Sequence, residues 1–325
     1  MLRRRGPENL AVAFTGPGRV ELVSERLSRP RRGQLLLEAS CSLISTGTER
    51  RCLQRDFAPG SHWDEWVTYP FRPGYSFVGA TADGNRFCAP APHARYALVE
   101  EEHAIPVPDG IGDEQASWFA LASIAQLGVA AAPIAPGDPV VVIGAGVLGQ
   151  LVAQLARRAG AGTVIVVARS RPRLDVALSH GADAVVEADA ATAREEVLRR
   201  TGGEGAAVVF EVTGSEPVFA AALRLARRHG TVVLVGDAGD PGEQRLGPEL
   251  LMEGLRVVGA HYEHSDPAGR RRMAAEFFAA LADGGVSVDG LVSERVRPAD
   301  APAVYASLTR DDPRRLGVLF EWRVE

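Results

Sequence analysis

VVVIGAGVLGQLVAQLARRAGAGTVIVVARSRPR, residues 140–173, decides the fold. Val140 to Ile143 is a β-branched run that passes into Gly144, Gly146 and Gly149, and then into an amphipathic segment ending near Gly160. This is a strand, a tight turn and a helix start. In such a unit the first glycine makes the turn, the second lets the backbone approach a pyrophosphate, and the third lets helix and strand pack closely. The helix N-terminus offers unpaired N–H groups and partial positive charge to the phosphates. Gly144, Gly146, Val147, Leu148 and Gly149 are therefore the first candidate cofactor contacts.

A second strand, Thr163 to Val167, ends where an NAD enzyme carries an acidic side chain for the ribose 2′-hydroxyl, roughly 20 residues beyond the glycines. Here that residue is Ala168, followed by Arg169, Ser170, Arg171 and Arg173. The repelling carboxylate is missing and hydrogen-bond donors stand where a 2′-phosphate would sit, which predicts NADP(H). Arg169, Ser170 and Arg173 are the expected phosphate contacts, with Thr213 and Gly236 as further cofactor contacts after later strands.

A chain of 325 residues exceeds one ordinary domain, so two domains sharing a cleft are expected. All 36 basic residues are arginine, which excludes Schiff-base or lysine-base chemistry. A net charge of −5 with scattered signs leaves no basic stripe for nucleic acid. No stretch has the apolar length of a secretory leader or a membrane span, so the reading is a soluble, cytoplasmic protein with a small-molecule substrate. Cys41, Cys52 and Cys88 are odd in number and lack C-x-x-C spacing, so they form neither a disulfide framework nor a four-cysteine zinc lobe.

Outward from the glycine-rich stretch, residues 1 to about 120 are short alternating apolar runs broken by Gly and Pro, such as GRVELVSE, QLLLEASCSLI and ARYALVE. They read as a mostly antiparallel β domain. From Asp113 the period becomes helical. Strands and helices then alternate, with helices expected over Ala191–Arg200 and Ser215–Arg228, giving a doubly wound parallel α/β sheet. The last stretch, from Gly290, returns to strand, helix and strand and is expected to pack on the first domain. LRVVGAHY, at 255–262, is expected at an edge of the cofactor sheet, a long apolar edge that a twofold mate would cover in a homodimer.

Further strings carry a resemblance. PFRPGYSFVGA, HAIPVPDGI and VVFEVTGSEPVFAAALRLARRHGTVVLVG, together with the order of segments, resemble the medium-chain dehydrogenase/reductase superfamily over nearly the full length. The resemblance implies a GroES-like catalytic domain over 1–120 and 262–325, a Rossmann dinucleotide-binding domain over 121–261, and hydride transfer with a nicotinamide cofactor. The chain departs from the zinc alcohol dehydrogenases of that superfamily at each metal position. SLISTGTE puts Ser45 or Thr46 at the first ligand, Gly74, Tyr75 and Ser76 replace G-H-E, and Leu121 to Ser123 offer no ligand, so no metal is expected. S-x-I-S-x-G-T-E is similar to a string in a zinc-free branch of bacteriochlorophyllide dehydrogenase-like and sugar-dehydrogenase-like proteins. Zinc-free quinone and enoyl reductases usually carry N-P-x-D or N-Y-x-D in this loop. The expected reaction is thus NADPH-linked interconversion of a secondary alcohol and a ketone on a polar, sugar- or cyclitol-like biosynthetic intermediate, ahead of double-bond reduction and of a cofactor-binding protein without catalysis.

Without a metal, side-chain donors must stabilise the developing alkoxide. The resemblance places a proton-relaying hydroxyl at Thr48, and the alternative is a loop threonine bonded to backbone. Tyr75 either donates a phenolic proton or fills the space of a lost ligand. Ser45 and Thr46 are candidate substrate contacts or turn residues. In SHWDEW, read as a loop, Asp64 with His62 and Trp63 either bind a polyhydroxylated substrate or cover the domain surface. His261 follows a strand at the ligand side of the sheet, where it either tunes proton release or belongs to a surface or dimer loop. The resemblance implies that Glu49 orients its loop and that Glu211 follows a buried strand near the cofactor, so both read as structural.

Overall fold

Alternating and continuous apolar runs become two different kinds of sheet in a computed structural model, which describes residues 7–310 and 312–323. The arginines at positions 3–5 lie outside the described residues. In chain order the first part contains β1 (Glu8–Gly16), β2 (Arg19–Arg26), β3 (Gln34–Ile44), α1 (Thr46–Gln54), α2 (His62–Trp66), β4 (Phe77–Ala80), β5 (Arg86–Ala89), β6 (Tyr96–Glu100), β7 (Ile105–Pro106), α3 (Asp113–Ala116) and α4 (Phe119–Ala130). The glycine-rich stretch opens the second: β8 (Pro139–Ile143), α5 (Val147–Arg158), β9 (Thr163–Ala168), α6 (Arg171–Ser179), β10 (Ala184–Glu187), α7 (Arg194–Arg200), β11 (Ala206–Glu211), α8 (Glu216–Leu225), β12 (Ala226–Leu234), α9 (Glu249–Met252) and β13 (Arg256–Gly259). The chain closes with α10 (Pro267–Ala282), β14 (Val292–Val296), α11 (Ala301–Leu308) and β15 (Gly317–Glu321).

Two compact units result. One runs to Ala120 and takes in Asp266–Ala282 and the chain from Val288; the other holds Leu121–Ser265 and Asp283–Ser287. The expected return at residue 262 is therefore later and interrupted. Ser287 stays with the second unit because its N–H and C=O are both held by the Gln154 side chain, at 2.7 and 3.0 Å, and Asp283 pairs with Arg158 at 2.7 Å.

In the second unit the strands run β10-β9-β8-β11-β12-β13, all parallel. Helices on both faces of such a sheet bury its strands, which is why β8, β9 and β11 read as unbroken Val/Ile/Ala runs. The order reverses between β8 and β11, the switch point beside which ligands bind in open α/β sheets. Helix α8 ends at Leu225, three residues before the expected Arg228, because Ala226 already pairs with Ala206 in β12. Helix α7 likewise begins at Arg194, not Ala191. The outer strand β13 is only four residues long and mostly exposed, so the edge is shorter than LRVVGAHY suggested.

The first unit carries the order β14-β15-β3-β4-β5-β7, with β6 also on β3. All pairings there are antiparallel except β14 with β15. One of its cores gathers Val12, Phe14, Ile44, Trp63, Tyr305 and Phe320 from both ends of the chain. Among the described residues no helix is long and apolar enough to cross a membrane.

Candidate active site

The cofactor end of the second unit is built by glycines. Gly144 leaves β8 with φ +111°, a region closed to most side chains. Gly146 caps α5 and Val147 and Leu148 open it, so the N–H groups of the first turn face outward with no side-chain cap on them. A Cβ on Gly149 would lie 1.9 Å from the Gly144 carbonyl oxygen, whereas one on Gly146 would meet nothing within 4 Å. The turn is thus closed against the sheet and open where a pyrophosphate would approach. These residues fit a dinucleotide.

Ala168 is the last residue of β9. Ser170 caps α6, its hydroxyl accepting the Arg173 N–H at 3.4 Å. Arg169 is exposed, 3.8 Å from Asp189, while the Arg173 carbonyl accepts Gln150 Nε2 at 2.9 Å and so ties this loop to α5. Across the switch point, Glu211 ends β11 fully buried. Burial pushes its carboxyl up to about 6, against the pull of hydrogen bonds from Thr213 and Gly214. The Thr213 hydroxyl is spent on Glu211 and on the Ser215 N–H. Gly236 packs on the same loop, since its Cβ would lie 2.2 Å from Gly214 N.

In the first unit three expected residues come together. The Tyr75 phenol donates to Ser45 Oγ at 2.6 Å, with the Thr48 side chain close by. Burial pushes the Tyr75 phenol up to about 12, which keeps it protonated at neutral pH. Thr46 and Thr48 are half-buried in the first turn of α1. The arrangement is a cluster of hydroxyl donors at the start of a helix.

The remaining candidates are placed elsewhere. SHWDEW is a helix, not a loop, because Ser61 caps it and Asp64 and Glu65 stand in its first turn. Trp63 is 4% exposed in the core, which corrects its expected role as a substrate contact. Asp64 pairs with Arg55 and accepts the Gly60 N–H at 2.9 Å, so its carboxylate ties a turn rather than serving chemistry. His62 is exposed beside Trp63. His261 is exposed in the second unit, its Nδ1 accepting the Glu263 N–H at 3.3 Å in a single helical turn after β13.

A catalytic zinc takes three protein ligands of Cys, His, Asp or Glu type. At the corresponding places stand hydroxyls, and Leu121, Ala122 and Ser123 are buried within α4. Glu49 is 2% exposed and already accepts three donors, and burial pushes the Cys52 thiol up. Among the described residues no three His, Cys, Asp or Glu side chains gather as a metal site. The residues present do not fit the ion.

Sequence reasoning missed His93, Tyr305, Ser42 and Trp322. His93 Nε2 lies 3.0 Å from Glu49 Oε2, Tyr305 donates to the same oxygen, and His93 Nδ1 lies 2.7 Å from Ser42 Oγ. Trp322 Nε1 donates to that Ser42 Oγ at 2.9 Å. The signal was faint: a histidine beside the β6 strand and a tyrosine on an apolar helix face look like ordinary core residues.

The model of the zinc-binding dehydrogenase family matches residues 147–280. D-guloside 3-dehydrogenase of Escherichia coli K12 is 29% identical over 252 residues, 74% of this chain and 72% of that one. Among solved structures, a candidate zinc-binding dehydrogenase of Sinorhizobium meliloti 1021 bound to NADP superposes with a TM-score of 0.83 at 24% identity, over 97% of this chain and 99% of that one. A short chain alcohol dehydrogenase of Escherichia coli CFT073 complexed with NADH superposes at 0.82 with 16% identity, over 97% of this chain and 100% of that one. At these identities the solved structures speak for the fold.

Proposed function

Because this chain belongs to the medium-chain dehydrogenase/reductase superfamily, we propose that it interconverts a secondary alcohol and a ketone on a sugar- or polyol-like molecule, with NADP(H) and without a catalytic zinc. The observation that carries this reading is the Ser45–Thr48–Tyr75 hydroxyl cluster, in which Ser45 and Tyr75 stand where a metal-dependent relative would keep ligands. The cofactor, when bound, supplies or accepts the hydride. In the reducing direction negative charge grows on the carbonyl oxygen, and an alkoxide is more basic than a phenolate. Tyr75, held protonated, and the Ser45 and Thr48 hydroxyls donate to that oxygen, and the proton passed on is replaced from solvent. In the oxidising direction the same hydroxyls carry the alcohol proton away. Neutral hydroxyl donors suit an uncharged polyhydroxylated substrate. The sugar derivative named for the Escherichia coli relative supports this class.

The test is turnover by chelator-treated protein of sorbitol, xylitol and simple glycosides with NADP⁺, and of ketoses, enones and quinones with NADPH. Oxidation of polyols or reduction of ketoses that survives chelation, with kcat lowered on the order of 100-fold in Tyr75→Phe combined with Ser45→Ala, is expected. Activity that vanishes on chelation and returns with zinc, or is confined to enones and quinones, overturns it.

Assembly follows from the sheet edge. Val257 on β13 is 37% exposed, and Leu246, Leu251 and Met252 just before it are 68%, 85% and 70% exposed. Twofold pairing of β13 would cover this apolar surface, giving a homodimer. Light scattering should return twice the 34.5 kDa chain mass, and a monomer at micromolar concentration would contradict the pairing.

A further inference from the structure

We propose that the buried Glu49–His93 pair, with Tyr305, is a positioning device that holds Ser45 and Tyr75 in register for proton transfer. The inference rests on the reading of the hydroxyl cluster as the site of chemistry. Glu49, His93, Tyr305 and Ser42 are 2%, 0%, 0% and 0% exposed, so none of them meets a substrate directly. A carboxylate so deeply buried is tolerated only when its oxygens are filled. Glu49 Oε1 accepts the Ser45 N–H at 2.8 Å, and Oε2 accepts from His93 and Tyr305.

The consequence lies at Ser45. A serine at the start of a helix ordinarily spends its hydroxyl on an N–H of the first turn. Here Ser45 makes no side-chain cap bond. Its backbone is clamped instead by Glu49, whose N–H donates to the Ser45 carbonyl at 2.9 Å while the Glu49 carboxylate takes the Ser45 N–H. The hydroxyl is thereby released from capping and turned to Tyr75.

His93 joins the second arm of the cluster. Its N–H donates to the Pro73 carbonyl at 2.9 Å, and a Cβ on Gly74 would lie 2.8 Å from both His93 Cδ2 and His93 N. The residues leading into Tyr75 therefore rest on the same imidazole that Glu49 holds. The direction of the chain of bonds is set at its ends, because an indole N–H only donates and a carboxylate only accepts. Trp322 donates to Ser42, Ser42 to His93 Nδ1, and His93 Nε2–H to Glu49, an assignment that satisfies every partner with a neutral ring. Five separate segments thus converge on the placement of two hydroxyls.

The test compares Glu49→Ala, Glu49→Gln and Tyr305→Phe in the full chain, with two readouts. One is kcat and KM for xylitol or sorbitol with NADP⁺. The other needs no turnover: the ¹³C resonance of the Tyr75 phenol in tyrosine-labelled protein, assigned with Tyr75→Phe. Glu49→Ala is expected to lower kcat on the order of 10- to 100-fold, the scale of a misplacement near 1 Å, with KM for NADP⁺ unchanged and the Tyr75 resonance shifted. Glu49→Gln keeps an acceptor for the Ser45 N–H but loses the one shared by His93 and Tyr305, so it recovers part of both effects. Should Glu49→Ala not fold, Tyr305→Phe decides, with a smaller change of the same two kinds. Folded Glu49→Ala and Tyr305→Phe with wild-type kcat and an unmoved Tyr75 resonance would overturn the proposal, whatever their melting temperatures. Absence of turnover in the wild type over the whole substrate panel would instead remove the functional reading, and the Tyr75 resonance would still report on the positioning.

Discussion

Gly149→Ala is expected to abolish NADPH binding and to lower the melting temperature, while Gly146→Ala weakens binding and leaves the melt unchanged. The two positions differ in what a methyl group would meet. At Gly149 a Cβ lies 1.9 Å from the Gly144 carbonyl oxygen and 2.9 Å from its carbonyl carbon, well inside contact distance of backbone atoms. Gly144 cannot retreat, since its own space is bounded by Val212 and Thr213, each 2.9 Å from a Cβ built there, and its φ of +111° leaves little alternative conformation. Relief therefore requires α5 to move away from β8. Such overpacking costs about 3 kcal/mol or more, roughly 5–10 °C for a unit of this size. It also withdraws the first-turn N–H groups on which the pyrophosphate depends, so a loss of affinity of 100-fold or more is expected on the order of two to three charge-assisted bonds. The Gly146 methyl, by contrast, points into open space where the phosphates dock. Calorimetric titration with NADPH beside thermal melts separates the cases. Wild-type affinity in Gly149→Ala would remove the dinucleotide reading of this turn.

Why that turn is legible in the sequence, and the Glu49–His93 pair is not, follows from the distance over which each is specified. Gly144, Gly146 and Gly149 act on their own neighbours, and the runs on either side carry the strand and helix periods that confirm the context. The Rossmann sheet and the C-terminal return to the β unit follow from the same local patterns. Glu49 meets His93 across 44 residues and Tyr305 across 256, and no local period announces such a meeting. Trp63 and Trp66 show the limit within a single element. Three residues apart on a short helix their rings touch, centroids 5.7 Å apart, yet one is 4% and the other 51% exposed. The capping serine at 61 was the available sign that this segment is helical. The hydroxyl cluster lay between these extremes. Ser45 and Tyr75 stand out only because a resemblance marks the places of absent metal ligands, and Thr48 because it marks a proton-relaying hydroxyl, while the bond between Tyr75 and Ser45 is tertiary.

Arg169→Ala combined with Arg173→Ala should raise the dissociation constant for NADPH ten-fold to several hundred-fold and leave that for NADH nearly unchanged. The 2′-phosphate distinguishes the two cofactors, and in this fold it falls at the end of the second cofactor strand. That end is Ala168, whose own side chain carries no charge. Arg169 is 76% exposed and its present partner, Asp189, is 3.8 Å away and 69% exposed, so exchanging that screened pair for a phosphate dianion forfeits little. Ser170 accepts the cap bond from the Arg173 N–H and so fixes the start of α6 beside this end. Each charge-assisted bond contributes about 1.5–3 kcal/mol, so losing one, or two at the lower value, gives the stated range. Ala168→Asp goes further by placing negative charge where the phosphate would sit and an acceptor where a ribose 2′-hydroxyl would sit, so it should invert the preference rather than merely erase it. The Arg173 carbonyl accepts from the Gln150 side chain at 2.9 Å, a bond to α5 that substitution of the arginine side chain retains. Fluorescence titration with both reduced cofactors, at low and high salt, measures the effect, and the arginine contribution should shrink as salt rises. Equal affinity of the unaltered protein for NADH and NADPH would sink the phosphate assignment, because the arginines would then be solvating a surface turn and nothing more.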